Sequence, residues 1–331
     1  MDSLSLQQKP SSSILVTGGT GLVGAYSAKK LADEGLDVVC LDSAPRQIDF
    51  IQDWNIPIIR GDVRELGDLI RIVRQYPVAD VIHTAAVASE SACRTNPVNS
   101  FEVNVKGTLN VAEVSRLKDL RLIYLSSQAV YGDLHWKDLT PIKEEEAPRT
   151  ICGVYASHKM MGETIVKSYS QIYGLSTLIL RPTWVYGPGQ TTVQNPVSII
   201  LEKAIKKEPF ILKEGGDHPL PYTYVKDLAQ AVLLSIRTKN PKHSVFNVDG
   251  GRLVTVREVA EAVREVIPDA KIEVGPGYWP TISQQTPVRG PGDLTRARQD
   301  LGYESRYNIR EGIREFAQHL LARERLSGNE V

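Results

Sequence analysis

Short apolar runs alternate six times with longer segments of helical spacing between Ile14 and Pro182. The runs "ILVT", "DVVCLD", "IPIIRGDV", "ADVIHTAA", "RLIYLSS" and "LSTLILRP" are nearly continuous in branched aliphatic residues rather than alternating with polar ones. A strand of that kind is covered on both faces, and a sheet covered on both faces is parallel with helices above and below. Each return between parallel strands needs a crossover, which "AYSAKKLADEG", "LGDLIRIVRQY", "PVNSFEVNVKGTLNVAEVSRL" and the segment around "YASHK" supply. The expected fold class is α/β, a doubly wound parallel sheet of Rossmann type.

After Pro182 the pattern changes. "YGPGQTTVQNP" is rich in turn formers, "VSIILEKAIKKEP" and "TVREVAEAVREVI" have helical spacing, "HSVFNVDGG" reads as a late strand, and "IREGIREFAQHLLARE" as the last helix. A smaller mixed α/β C-terminal lobe is expected there. The expected division is a disordered tail over 1–11, a Rossmann domain over 12–185 to which 221–249 returns, and a lobe over 186–220 and 250–328.

Lys plus Arg number 39, as do Asp plus Glu, so no broad basic surface is implied and nucleic acid is not an expected partner. Cys40, Cys93 and Cys152 are widely spaced and odd in number, which gives no disulfide framework and suits a reducing compartment. There is no CxxC and no histidine pair at ligand spacing, so no metal site is expected. The polar start "MDSLSLQQKPSSS" has no apolar core of a signal peptide, and no 18-residue apolar run occurs. No membrane partner and a cytoplasmic location are the expectation.

"VTGGTGLVG" follows a predicted strand and opens a predicted helix. It holds two overlapping frames, Gly18, Gly21 and Gly24, or Gly19, Gly21 and Gly24. Residues without Cβ let the backbone approach a pyrophosphate, and the helix N-terminus favours the anion. Asp42 ends the second strand, where an acid accepts hydrogen bonds from the adenosine ribose and repels a 2′-phosphate. NAD is therefore expected over NADP, although Arg46, four residues on, could moderate this. Asp42 could equally be a plain helix cap or turn residue.

With these motifs in place, the sequence resembles the extended short-chain dehydrogenases/reductases, the NAD-dependent epimerase/dehydratase group. The resemblance covers nearly the whole ordered chain. It rests on "TGGTGLVG", Asp42, "GDV" at 61–63, "HTAA" at 83–86, "NVKGT" at 104–108, "SSQAVYGD" at 126–133, "YASHK" at 155–159, "RPTWVYGPG" at 181–189 and "YVKDLAQA" at 224–231. It implies that the first domain binds NAD and the lobe binds substrate. The implied cofactor set is Gly18, Gly21, Leu22, Val23, Gly24, Asp42, Ser43, Asp62, Val63, Ala85, Ala86, Asn104, Tyr155, Lys159, Pro182 and Val185. Within it, Asp62 and Val63 would flank the adenine, Ala85 and Ala86 would line the cleft, and Asn104 would be the structural asparagine of the central helix. Val87, Ser127, Gln128, Tyr155, Trp184 and Arg289 are the candidates for substrate contact. The resemblance also implies a homodimer through the helices holding "FEVNVKGTLNVAEV" and "GVYASHKMMGETIVKSY".

Tyr155 and Lys159 match the family's catalytic Tyr-x-x-x-Lys, and Ser127 matches its third member. A free phenol ionises near pH ~10, too high for a base at neutral pH. A cation one helical turn away is expected to lower it. Ser127 would hold the reacting oxygen and Tyr155 would take the hydroxyl proton as hydride leaves carbon. Dehydratases of the family carry an Asp-Glu pair directly after the Ser, and its decarboxylases a Glu in the same stretch. This chain has Gln128 and Ala129 there, which leaves dehydrogenases and epimerases. A non-catalytic NAD-binding regulator is the remote alternative.

Sugar-nucleotide members usually read R-x-x-N-V-Y-G, with the Asn on the substrate diphosphate, and R-D-F-x-x-V-x-D, with the Arg on a phosphate. Here Trp184 stands at the Asn, and Leu220 and Pro221 at the Arg and Asp. The expectation is therefore dehydrogenation of a small, polar, non-nucleotide hydroxy or keto substrate, sugar- or polyol-like. A nucleotide-sugar 4-epimerase using tightly bound NAD is the alternative.

Overall fold

The computed structural model describes residues 12–132, 138–147, 151, 153–190, 195–279, 288 and 290–327. The expected tail over 1–11 and the candidate Arg289 lie outside them. The strands are β1 (Ser13–Thr17), β2 (Val38–Asp42), β3 (Ile58–Arg60), β4 (Val78–His83), β5 (Arg121–Leu125), β6 (Thr177–Pro182), β7 (Val185–Tyr186), β8 (Phe210–Leu212), β9 (Pro219–Pro221), β10 (Thr223–Tyr224), β11 (Val245–Val248), β12 (Leu253–Thr255) and β13 (Ile272–Val274). Seven of them form one parallel sheet in the order β3-β2-β1-β4-β5-β6-β11. The late strand "VFNV" thus joins the sheet beside β6.

The helices are α1 (Leu22–Asp33), α2 (Leu66–Gln75), α3 (Glu90–Thr95), α4 (Pro97–Phe101), α5 (Gly107–Lys118), α6 (Val154–Tyr173), α7 (Pro196–Ile205), α8 (Val225–Arg237), α9 (Val256–Val266) and α10 (Ile309–Ser327). Successive strand residues point to opposite faces. Ile14 and Val16 of β1 pack with Ala28 and Leu31 of α1 and Leu228 and Val232 of α8. Leu15 packs with Leu69 and Ile72 of α2, Val111 and Val114 of α5 and Val166 of α6. Both faces are buried, which is why the strands are apolar at every position. Another core joins α7, α9 and α10 to Leu220 of β9, Tyr224 of β10 and Ile272 of β13.

β1 lies between β2 and β4, so the connections leave its C-terminal end in opposite directions. That divergence opens a crevice at the strand ends, where doubly wound sheets take their ligands. The segments at its mouth are 18–21 after β1 and 84–87 after β4.

The expected long helix over 97–117 is interrupted by a π-turn at Glu102–Lys106, between α4 and α5. Its cause is Asn104, buried and turned away from the helix. The Asn104 Oδ1 accepts from the Val87 amide at 2.8 Å and its Nδ2 donates to the Val87 carbonyl at 3.1 Å. The sequence marks the asparagine, but the widened turn comes from this contact with the loop after β4.

A buried charge network ties β5, α6, β6 and β11 together. Glu163 of α6 accepts from Ser126 at 2.7 Å, from Arg181 Nε at 2.8 Å and from Arg181 Nη2 at 2.7 Å. Arg181 also donates to the Tyr131 hydroxyl at 2.9 Å, and that hydroxyl donates to Asn247 Oδ1 at 2.7 Å. Burial alone would raise the Glu163 ionisation, but Arg181 and Lys167 bring it down to about 2. Glu163→Gln should leave the Arg181 charge buried without its counter-ion and cost about 3–5 kcal/mol in urea unfolding. A loss under about 1 kcal/mol would show that the pair does not hold these elements.

Candidate active site

The turn between β1 and α1 is built from glycines in contact. Gly18 has φ +67°, and a Cβ on it would lie 2.7 Å from the Ala85 Cα. A Cβ on Gly24 would lie 2.1 Å from the Gly18 carbonyl oxygen. These two glycines close the turn against the start of α1 and the segment after β4. A Cβ on Gly21 would approach only the Gly18 carbonyl, at 3.2 Å, and the Arg46 guanidinium, at 3.9 Å. Gly21 begins α1 with no side-chain cap. An uncapped helix start in an open crevice fits the pyrophosphate of a dinucleotide. The backbones of Leu22, Val23 and Gly24 would hold it there.

Asp42 is fixed at the end of β2. Its Oδ2 accepts from the Thr20 amide at 3.0 Å and the Thr20 hydroxyl at 2.7 Å, and its Oδ1 accepts from the Ala44 amide at 3.1 Å. The Arg46 Nη2 donates to the Thr20 carbonyl at 3.3 Å, so a carboxylate and a guanidinium both border the glycine turn. Ser43 is exposed next to Asp42. Asp62 is paired with Arg64 at 2.6 Å, which holds its carboxyl below the usual carboxylate range despite burial, and Val63 packs under Gly107. Ala85, Ala86 and Val87 follow β4, with Val87 pinned by Asn104. Pro182 is buried at the end of β6, and Val185 lies in β7.

Ser127, Tyr155 and Lys159 come together at the C-terminal end of β5. Ser127 lies beside the Tyr155 phenol and favours its charged form, and the Ser127 Oγ accepts from the Ala129 amide at 3.1 Å. The Lys159 Nζ donates to the Leu125 carbonyl at 2.6 Å and stands 4.9 Å from the Tyr124 ring centre and 5.9 Å from that of Tyr155. Burial lowers the Lys159 ammonium to about 8. Burial also pushes the Tyr155 phenol above its ordinary 10, against the opposing influence of Ser127. This corrects the expectation that the nearby cation lowers it: the ammonium is directed at a backbone carbonyl, and desolvation of the phenolate outweighs the rest.

Two substrate candidates point elsewhere. Gln128 is 1% exposed and its Nε2 donates to Asp249 at 2.7 Å, so its amide is used inside the fold. Trp184 sits at φ +39°, in the left-handed region, with its indole packed on the core of α7, α9 and α10. Asparagine tolerates that backbone conformation far better than an aromatic residue.

One residue beside the trio was not legible. Glu90 of α3 accepts from the Val154 amide at 3.0 Å on Oε1 and from the Tyr155 amide at 2.9 Å on Oε2. It thereby caps the first turn of α6. The available signal is negative: Gly153, just before α6, has no side chain to cap it.

A family model described as the NAD dependent epimerase/dehydratase family matches residues 14–249. The chain belongs to this family. It is an NAD-dependent enzyme with the family's Rossmann fold. It is 29% identical over 315 residues to a UDP-glucuronic acid decarboxylase of Arabidopsis thaliana, covering 91% of this chain and 68% of that one. It is 28% identical over 333 residues to a UDP-glucose 4-epimerase of Neisseria gonorrhoeae, covering 90% and 94%. Among solved structures, a Thermotoga maritima UDP-glucose 4-epimerase with UDP-glucose superimposes with a TM-score of 0.83 at 26% identity, covering 95% of this chain and 99% of that one.

These relatives overturn the expected non-nucleotide substrate, since each is named for a UDP-sugar. The physical reason lies in the two positions that carried that expectation. Leu220 is 1% exposed in the core of α7, α9 and α10, and Trp184 packs on the same core. Their apolar character serves that core and says little of what the crevice holds.

Lys159 gives the site a pH signature. Between pH 8 and 10.5 its unfolded form holds a proton that the folded form has released, so the folded state gains stability as pH rises through that window. The stability of nucleotide-free parent, minus that of Lys159→Met, should be flat below pH 8 and rise by roughly 2–3 kcal/mol by pH 10.5. A pH-independent difference in urea titrations would rule out a depressed Lys159.

Proposed function

We propose that the chain is a UDP-sugar 4-epimerase working through NAD. The observation that carries this reading is the trio itself, Ser127 next to the Tyr155 phenol with the Lys159 ammonium 5.9 Å from its ring centre and no acid at positions 128 or 129. The UDP-glucose 4-epimerase relatives support the substrate class. The decarboxylase relative favours it less, because the Glu expected in that stretch is absent here.

Tyr155 takes the proton of the sugar 4-hydroxyl as the C4 hydride leaves, and Ser127 holds the oxygen as it becomes a carbonyl. NAD, held by the glycine turn and Asp42, would supply the hydride acceptor for that step and the hydride donor for its reversal on the opposite face of the ketone. Tyr155 then gives its proton back, so the sugar is neither oxidised nor reduced overall. Lys159, held by the Leu125 carbonyl, keeps a positive charge 5.9 Å from the Tyr155 ring centre. We assign the dinucleotide to 12–185 with 221–249, and the sugar nucleotide to the side built from 186–220 and 250–328. The buried free thiols of Cys40 and Cys93 suit a reducing cytoplasm. Among the described residues no helix is long and apolar enough to cross a membrane.

Interconversion of UDP-glucose and UDP-galactose by the purified protein tests the activity. Tyr155→Phe should lower kcat about 10²–10⁴-fold with NAD still bound. Loss of carbon dioxide from UDP-glucuronate without interconversion would replace this reading by the decarboxylase one.

We also propose a homodimer through α5 and α6. The two helices pack together and expose Leu109, Leu117, Met161, Ile172 and Tyr173. Exposed apolar side chains on two packed helices suit an association surface. Leu109→Glu should shift the protein from dimer to monomer in light scattering at micromolar concentration, and a monomeric parent would reject the assembly.

A further inference from the structure

Tyr155 is the second residue of α6, where the first turn of a helix leaves its amides without internal partners. Gly153 precedes the helix at φ +121° and ψ 164°, a backbone region that essentially only glycine occupies. Its missing side chain does two things. It permits that conformation, and it makes room, because a Cβ there would lie 2.5 Å from the Glu90 Oε2. The space holds a carboxylate from another element, bonded to two successive amides, of which one belongs to Tyr155 itself. Arg94 fixes the Glu90 rotamer from below, with its Nε 2.7 Å from Oε1. An ionised acceptor at a helix start makes stronger bonds than a neutral one and matches the helix dipole.

Glu90 is itself tied to the crevice. Ser89 caps α3, and Val87, two residues earlier, is clamped by Asn104. A short rigid path therefore runs from the crevice wall to the backbone of Tyr155. We infer that Glu90 is a positioning residue, which sets the reach of the Tyr155 hydroxyl toward Ser127 and the reacting oxygen by holding the first turn of α6. A shift of about 1 Å in a reacting group costs on the order of 10²-fold in rate. An amide at position 90 retains one acceptor and turns its NH2 toward an N–H donor, so roughly a tenfold loss is expected of it.

The activity arm rests on the epimerase reading, and the second arm does not. Parent, Glu90→Gln, Glu90→Asp, Tyr155→Phe and the Glu90→Gln/Tyr155→Phe double variant are compared, each with its bound NAD. Glu90→Gln should lower kcat about tenfold with KM and NAD content unchanged. Glu90→Asp should recover part of the loss. In the Tyr155→Phe background the same change should have no further effect, because Glu90 acts through the phenol. An equal loss in both backgrounds would overturn the inference. Amide hydrogen exchange at Val154 and Tyr155 supplies the independent arm, and it should speed up in Glu90→Gln at a Tm within a few degrees of the parent. Unchanged exchange would overturn the inference whatever the substrate, whereas a parent that fails to interconvert UDP-sugars would overturn the epimerase reading alone.

Discussion

The side of the sheet that carries Ser127, Tyr155 and Lys159 is held by one buried carboxylate. Glu163 joins α6 to the end of β5 through Ser126 and to β6 through Arg181, and Arg181 extends the chain to Tyr131 and from there to Asn247 of β11. Removing such charges from water is expensive, and the cost is offset only when every lone pair and proton finds a partner. Glu163 meets that condition with Ser126, Arg181 and Lys167. Directional bonds of this kind fix the helix along its axis as well as against the sheet, which apolar packing alone does weakly. Lys159 lies one turn before Glu163 on α6, so its ammonium is placed by the same constraint.

The N-terminal end of α6 is held differently. No residue of its own sequence caps it, and the carboxylate of Glu90 reaches in from α3. α6 is thus anchored by acids on either side of the Tyr155–Lys159 pair, one solvent-facing and one buried. Between them the phenol and the ammonium are both destabilised in their charged forms by burial. In the nucleotide-free protein the proton therefore stays on the phenol.

Motifs carried farther than single positions. The order of nine short motifs marked the family, and the family model agrees over 14–249. Trp184 and Leu220, read one at a time against the family's diphosphate-binding Asn and Arg, misled the choice of substrate. Both side chains pack in or on the core of α7, α9 and α10. A sequence does not say which neighbour a side chain will face.

The sequence by itself determined the parallel sheet, the glycine turn after β1, the acid that ends β2 and the candidate trio. These are local or periodic properties: strands buried on both faces are apolar throughout, and a turn without room for Cβ requires glycine. Only the tertiary structure decided what depends on residues far apart in the chain. The π-turn at Asn104 depends on the loop after β4, and the cap on α6 depends on Glu90, 65 residues before Tyr155. Gln128 is consumed by Asp249, 121 residues away. The ionisation of Tyr155 was set by burial, a quantity that exists only once the sheet, α3 and α6 have closed around it.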